Sequence, residues 1–388
     1  MNNFPPLLEM IRGLVSTPSI SSVDTALDQG NRAVIELLAN WLDGSGFQVE
    51  IMPLPGAPRK ANLIATLGSG TGGLVLSGHT DTVPYDEGKW RHDPFTLTEA
   101  DSRLYGLGTS DMKSFLALAL EASRQLRSED LQAPLILLAT ADEETSMTGA
   151  RALVEHGQPH ARHAIIGEPT GLRPIRMHKG ILMESIHLQG HAGHSSDPSL
   201  GNSALEAMHT VIGTLLSWRN ELQNDFRNPL FAVPVPTLNL GHIHGGDSPN
   251  RICGECVLHI DLRPLPGMDP QELRADLQHR VLECLQNSGI EVRFDALLEG
   301  VPAMETAAEA PIVKLAEQLT GHRAEAAAFA TEAPYLGQLG MDTVILGPGD
   351  IDQAHQPDEY LALDRLTPMT DILQRLVNAI CINRSSLT

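Results

Sequence analysis

The sequence predicts an α/β protein: a mostly parallel-sheet domain with a smaller ferredoxin-like (βαββαβ) α+β domain inserted into it. Three observations carry that prediction. The 388 residues exceed what one hydrophobic core usually serves, so two domains are the default. Up to Gly180, strand-like apolar runs alternate with helical stripes, the pattern of a parallel sheet covered by helices. After Lys179-Gly180 the strands become one-sided and the order turns to strand, helix, strand, strand, helix, strand. The first pattern resumes at 298. The expected domains are 1–180 with 298–388, and an insertion at 181–297.

Each element has its reason. Leu7, Leu8, Ile11, Leu14 and Val15 fall on one helical face, as do Val34, Leu37, Leu38 and Trp41, and Gly44-Ser-Gly46 stops the second helix. Phe47, Val49 and Ile51 alternate with Gln48 and Glu50, as in a half-buried strand. Ala61–Leu67 and Leu74–Ser77 read as further strands. The Ala- and Leu-rich run from Met112 to about Arg127 is helical, with Asp111 expected as its N-cap. Pro134–Ala141 is nearly all apolar, as a strand covered on both faces would be. Helix 148–156 and strand Ala164–Ile166 follow. In the insertion, strand 182–189 leads to a helix over about 202–222. An extended stretch, 235–243, precedes the alternating Leu258, Ile260 and Leu262. Helix 270–286 carries Leu273, Leu277, Val281 and Leu285, and Ile290, Val292 and Phe294 alternate after it. Helix 309–320, strand Thr343–Leu346 and helix 366–382 complete the first domain.

A net charge of −21 argues against nucleic acid, whose phosphates need basic patches. It is compatible with cationic substrates or metal ions. Cys253 and Cys256 form a C-x-x-C pair, but no second pair follows at zinc spacing, and Cys284 and Cys381 are isolated. They read as buried or surface thiols, as suits a reducing cytoplasm. The start, Met1-Asn-Asn-Phe-Pro-Pro, has no basic flank or signal-like core, and no apolar stretch approaches a membrane span. The expectation is a cytoplasmic protein with no membrane or nucleic-acid partner.

The chemistry lies at strand ends. In parallel α/β sheets, functional groups collect beyond the carboxyl ends of strands. Leu74–Gly78 delivers His79, with Asp81 two residues on and placed to hydrogen-bond its far ring nitrogen, as metal-ligating histidines often require. Leu135–Ala141 delivers Asp142-Glu143-Glu144, Ala164–Gly167 delivers Glu168, and the strand at 343 leads into a loop containing His355. Asp111 opens a helix from a glycine-containing turn. Any one of these taken alone reads better as a solvated polar residue. Together they suit zinc or a similar divalent ion, and five donors exceed what one tetrahedral ion takes, so two ions sharing a carboxylate fit better. Of the adjacent Glu143 and Glu144, one can bind metal while the other serves as general base. Such parts hydrolyse amides, with a metal-acidified water, a carboxylate to take its proton, and the acid form to protonate the leaving amine. A nucleotide site at Gly106-Leu-Gly108 lacks the full glycine fingerprint.

His79-Thr-Asp81-Thr-Val-Pro84, Gly106-Leu-Gly-Thr-Ser-Asp111-Met-Lys113, Ala141-Asp-Glu143-Glu144-Thr, Gly167-Glu168-Pro169-Thr and Gln353-Ala-His355-Gln-Pro resemble the aminoacylase / succinyl-diaminopimelate desuccinylase family of dinuclear zinc hydrolases. Trp90–Thr98, Gly241–Asp247, Asp261–Gly267 and Leu346–Gly349 extend the resemblance along nearly the whole chain, toward the branch that hydrolyses N2-acetyl-L-ornithine to L-ornithine and acetate in arginine biosynthesis. The desuccinylases carry a glycine-, serine- and aspartate-rich stretch where this chain reads Ala330-Thr331-Glu332-Ala-Pro334, which sets them apart. A broader N-acyl-amino-acid deacylase or dipeptidase is the alternative within the family, and a metal-binding module without catalysis the alternative outside it. The retained Glu143 speaks against the latter.

The resemblance implies that Asp111 bridges two ions, zinc or alternatively cobalt, with His79 and Glu168 on one and Glu144 and His355 on the other. It implies Glu143 as general base, Asp81 as orienter of His79, and a lid and homodimerisation role for the insertion. His194, in Gly190-His-Ala-Gly-His194-Ser-Ser, would stabilise the oxyanion, in its own or the partner subunit. Asn250, Arg251 and Arg263 are candidates for the α-carboxylate of an N-acyl amino acid substrate, since a guanidinium fork matches a carboxylate. Glu332 is a candidate for the ornithine ammonium. His242 and His244 read as loop histidines, and Asp142 and Asp197 as structural.

Overall fold

The structure, a computed structural model, describes residues 4–383. It divides into two compact units. One holds the chain up to Arg176, Thr306–Glu325 and the chain from Thr331 onward; the other is Met177–Glu305 with Ala326–Ala330. The segment 181–297 lies within the second, which also takes in flanking residues on both sides and a short return at 326–330.

In the first unit, four strands run parallel at the centre of the sheet, in the order Leu135–Thr140, Leu74–His79, His163–Ile166, Asp342–Ile345. Ala57–Leu67 and Gln48–Leu54 extend it antiparallel on one side, and Ile175 pairs antiparallel with Ile345 on the other. The sheet is thus mixed, with a parallel centre where a mostly parallel sheet was expected. Every residue of 74–79, 135–140 and 163–166 is buried, which explains why these strands read as unbroken apolar runs.

Helix Lys113–Ser123 is buried along almost its whole surface, packed against Leu7–Val15 and Leu366–Val377 as well as the sheet. Phe115, Leu116, Leu118 and Leu120 are each 5% exposed or less, and each such side chain contributes roughly 1.5–3 kcal/mol of transfer free energy. The helix begins at Lys113 with no side-chain cap. Asp111 therefore does not cap it as expected, because its carboxylate is engaged by two histidines. Gly167, just ahead of Glu168, is required by close approach: a Cβ there would lie 1.9 Å from the Phe115 ring.

The second unit is a four-stranded antiparallel sheet in the order Thr237–Gly245, Glu255–Arg263, Ile181–Gln189, Glu291–Val301. That is the ferredoxin-like order, with the first and third strands central. Helices Ala204–Asp225 and Pro270–Cys284 pack on it, started by Ser203 and Asp269, whose side chains accept from backbone N–H groups of the first turn. Leu182, Ile186, Leu188, Leu258, Ile260 and Leu262 meet Met208, Val211, Leu215, Trp218, Leu277 and Val281 in a separate core. His242 and His244 lie on the edge strand 237–245, not in a loop, and the His242 and His259 rings sit 4.8 Å apart across the register.

Candidate metal centre

Four adjacent parallel strands necessarily end side by side, and the first unit uses all four ends. His79 is the last residue of its strand. Glu143 and Glu144 follow Thr140, Glu168 follows Ile166, and the loop after Ile345 returns with His355. Asp111 arrives in the turn before helix 113–123, where Gly108 adopts φ +82° and a Cβ would press within 2.6 Å of the Lys113 side chain.

Asp111 is the hub. Its Oδ1 lies 3.0 Å from His79 Nε2 and its Oδ2 3.5 Å from His355 Nε2, so one carboxylate presents a different oxygen to each imidazole. His355 Nε2 is also 3.1 Å from Glu144 Oε2, and His79 Nε2 is 3.9 Å from Glu168 Oε2. All five expected donors are thus brought together. Ligand atoms of His79, Asp111 and Glu144 lie within 4.8 Å of one another, as do those of His79, Glu143 and Glu168. Glu143, expected to stay free of metal, therefore reaches the same centre as Glu168.

Asp81 works differently from the expectation. Its backbone carbonyl, at 3.0 Å, meets His79 Nδ1, while its carboxylate stands 3.8 Å from that nitrogen. The carboxylate instead accepts the backbone N–H groups of Glu143 and Glu144, at 3.3 and 3.1 Å. Asp81 fixes the His79 tautomer through the main chain and the two glutamates through its side chain. Asp142 holds Lys60 Nζ at 2.7 Å and Ser21 Oγ at 2.8 Å, a structural role.

The electrostatics call for cations. Burial, and then repulsion from neighbouring carboxylates, pushes Glu143 and Glu168 well above the usual carboxylate range. His79 is held well above its ordinary value despite burial, by the hydrogen bond to Asp111 and the charges of Glu168, Asp111 and Asp81. Hydrogen bonds to Asp111 and Glu144 raise His355 to about 10. Asp111 itself, though buried, is held far down by the two histidines. Imidazolium protons thus sit where positive charge is needed, and Glu168 Oε1, buried, finds no hydrogen-bond partner among the described residues. Two imidazoles and a crowd of carboxylates with an orphaned oxygen fit divalent ions of the zinc type.

Glu332 departs from expectation. It is 1% exposed, 3.5 Å from Ser77 Oγ, and pushed up to about 7 by burial. A carboxylate shut beneath the strand ends is not a surface partner for an ornithine ammonium. Two further buried groups escaped sequence reasoning. Lys113 Nζ donates to the Thr17 carbonyl and Ser19 Oγ, at 2.8 and 3.1 Å, and burial lowers it to about 7. Glu359 accepts backbone N–H groups of the Asp111 turn. Its one sequence signal was its place four residues after His355.

In the second unit, His194 is exposed and its Nδ1 lies 2.7 Å from Ser196 Oγ. His194 bridges Arg251 across the backbone. Arg251 pairs with Asp247 at 2.6 Å, and Asn250 Oδ1 accepts from Ser248 Oγ. Arg263 is forked onto the Asp261 carboxylate, Nε to Oδ1 at 2.8 Å and Nη2 to Oδ2 at 3.0 Å. Asp197 caps a short turn through Ser199.

The profile of peptidase family M20/M25/M40 matches residues 75–379. A relative in Edwardsiella ictaluri (strain 93-146), named acetylornithine deacetylase, is 50% identical over 377 residues, covering 97% of this chain and 98% of the relative. Among solved structures, the M20 family metallo-carboxypeptidase Sso-CP2 from Sulfolobus solfataricus superposes with a TM-score of 0.75 at 18% identity, over 96% of this chain and 99% of that one. A dinuclear metal-binding peptidase of the M20 family from Bacillus subtilis does so at 0.66 and 16%, over 96% and 98%.

Proposed function

We propose, from the premise that this chain belongs to peptidase family M20/M25/M40, that it hydrolyses N2-acetyl-L-ornithine to L-ornithine and acetate, a step of arginine biosynthesis. The chain is a metallohydrolase acting on amide bonds. The reaction class is carried by one observation, the two oxygens of Asp111 divided between His79 and His355. The substrate is supported by the half-identical, full-length relative named for that reaction.

Asp111 would bridge two ions, zinc or alternatively cobalt, with His79 and Glu168 completing one site and Glu144 and His355 the other. When bound, such ions acidify water and polarise the scissile carbonyl. Glu143 takes the proton of the attacking water. As the amide C–N bond breaks, its acid form returns that proton to the leaving nitrogen. The second proton of the water, lost by the new carboxyl group, is taken up by the freed amine, so that ornithine departs with an α-ammonium and the acyl group as acetate. Asp81 keeps Glu143 in place through its N–H. His194, with Nδ1 engaged by Ser196, donates from Nε2 to the developing oxyanion, in its own subunit or the partner's. Arg263, Arg251 and Asn250 grip the substrate carboxylate once their local pairings exchange. The second unit serves as lid and homodimerisation domain, and the setting is the cytoplasm. No helix among the described residues is long and apolar enough to cross a membrane.

Substrate profiling tests the reading. The metal-loaded chain is expected to favour N2-acetyl-L-ornithine over N-succinyl-LL-diaminopimelate, long-chain N-acyl amino acids and dipeptides by on the order of 100-fold in kcat/KM. A preference for long acyl groups or dipeptides would replace it with the broader deacylase or dipeptidase.

A further inference from the structure

Asp111 and His355 come from segments far apart in the chain, yet they face each other at 3.5 Å. The strand Tyr360–Ala362 pairs with Arg103–Tyr105, which brings the segments together but does not set the turn that bears Asp111. Glu359 reaches that turn directly. Its side chain, 1% exposed, accepts Gly108 N–H on Oε2 at 2.9 Å, and Ser110 and Asp111 N–H on Oε1 at 2.7 and 2.9 Å. Its backbone carbonyl accepts Gly106 N–H at 3.0 Å. Three main-chain donors of one turn, Gly108, Ser110 and Asp111, converge on one carboxyl group, and that group belongs to the loop that presents His355. Ser110 adds a second tie, accepting Asp350 N–H at 2.9 Å.

The residue just before it faces the other way. Asp358 accepts the N–H groups of Arg91 and His92 at 2.8 and 3.2 Å and pairs with Arg91 Nε at 2.7 Å. Both Asp358 and His355 have positive φ, 57° and 60°, so the loop between them depends on such outside contacts to hold its form.

We infer that Glu359 is a positioning residue: its carboxylate fastens the 108–111 turn to the His355 loop and thereby fixes how the bridging carboxylate and its histidine meet. The inference rests on reading Asp111 and His355 as ligands of one ion, and it adds a residue that touches neither ion nor substrate. A side chain acting this way governs ion affinity through geometry that the ligands cannot hold alone.

The test uses the full chain and the variants E359A, E359Q and D358N. Hydrogen exchange at the Gly108, Ser110 and Asp111 amides reads the clamp with no ion added. Cobalt(II) titration, by calorimetry and by the visible absorption of the bound ion, reads the site. E359A is expected to lose protection at all three amides, to bind cobalt about 10–100-fold more weakly with a changed absorption band, and to lose kcat rather than raise KM. E359Q, whose amide oxygen still accepts from Ser110 and Asp111, recovers most of the affinity, and carries the comparison if E359A folds poorly. D358N, whose side-chain oxygen still accepts the Arg91 and His92 N–H groups that shape the loop, loses only the Arg91 Nε pairing and leaves cobalt affinity unchanged. Wild-type exchange and wild-type cobalt binding in E359A overturn the inference, as does E359Q behaving no better than E359A. If the wild-type chain takes up no cobalt while E359A still exposes the three amides, the metal reading fails and the clamp stands.

Discussion

His79, Asp111 and Glu168 in the first unit are 1%, 8% and 6% exposed, and each is aimed by main chain that belongs to a sheet or to a turn fixed from elsewhere. His194, Asn250 and Arg251 in the second unit stand exposed, each steadied by a side chain two to four residues away. The first arrangement concentrates like charge out of water, which costs folding energy unless cations bind. The second leaves polar groups solvated, so they can change partners at little cost. The proposed metal donors are thus mostly buried, and the proposed substrate contacts of the second unit are solvated.

The sharpest way to break that contrast is to remove the one buried-site carboxylate that is proposed to act on water. E143A should keep its ions, as measured by bound-metal analysis, while kcat falls by about 10²–10⁴-fold; undiminished turnover refutes the base assignment. Next in size is H194A. Because His194 is exposed, its loss should change the unfolding free energy by under about 0.5 kcal/mol yet lower kcat by about 10²–10³-fold. Equal damage to stability would make the residue structural.

The smallest effect is a pH dependence that both units share. Burial lowers His163 in the first unit and His178 in the second to about 4 each. Both are neutral when folded and titrate near 6.5 when unfolded, so between those values the unfolded chain binds more protons. Their contribution is complete above pH 6.5 and is lost as pH falls toward 4, on the order of 1–2 kcal/mol per residue by pH 5. Urea midpoints at pH 7.5 and 5 check this in H163F and H178F, each of which should flatten the dependence. An unchanged slope in either places the acid sensitivity elsewhere.

The sequence made the donors legible because strand ends obey a general rule: His79, Glu144 and Glu168 each follow an apolar run, and parallel neighbours must finish together. The insertion was legible through alternation, since Leu258, Ile260 and Leu262 face one core while His259, Asp261 and Arg263 do not. What stayed hidden is what depends on distant chain. Glu332 looked exposed because its short helix, Ala333–Gln338, gives no periodicity from which to read burial. Asp81 was assigned through its side chain when its carbonyl does the orienting, and main-chain acceptors leave no trace in residue type. Asp111 resembled a helix cap until two histidines from other segments claimed it. Glu359 hydrogen-bonds across more than 240 positions, a separation that no local pattern reports.

The order of the donors along the chain has its own consequence. His79, Asp111, Glu144 and Glu168 all precede the segment that builds the second unit, and His355 follows it. A ribosome moving at roughly 5–20 residues per second makes the first four and then needs tens of seconds to reach the last. On the proposed ligand assignment, the nascent polypeptide therefore carries four of the five donors throughout that interval, and the set is completed only after translation has passed the second unit.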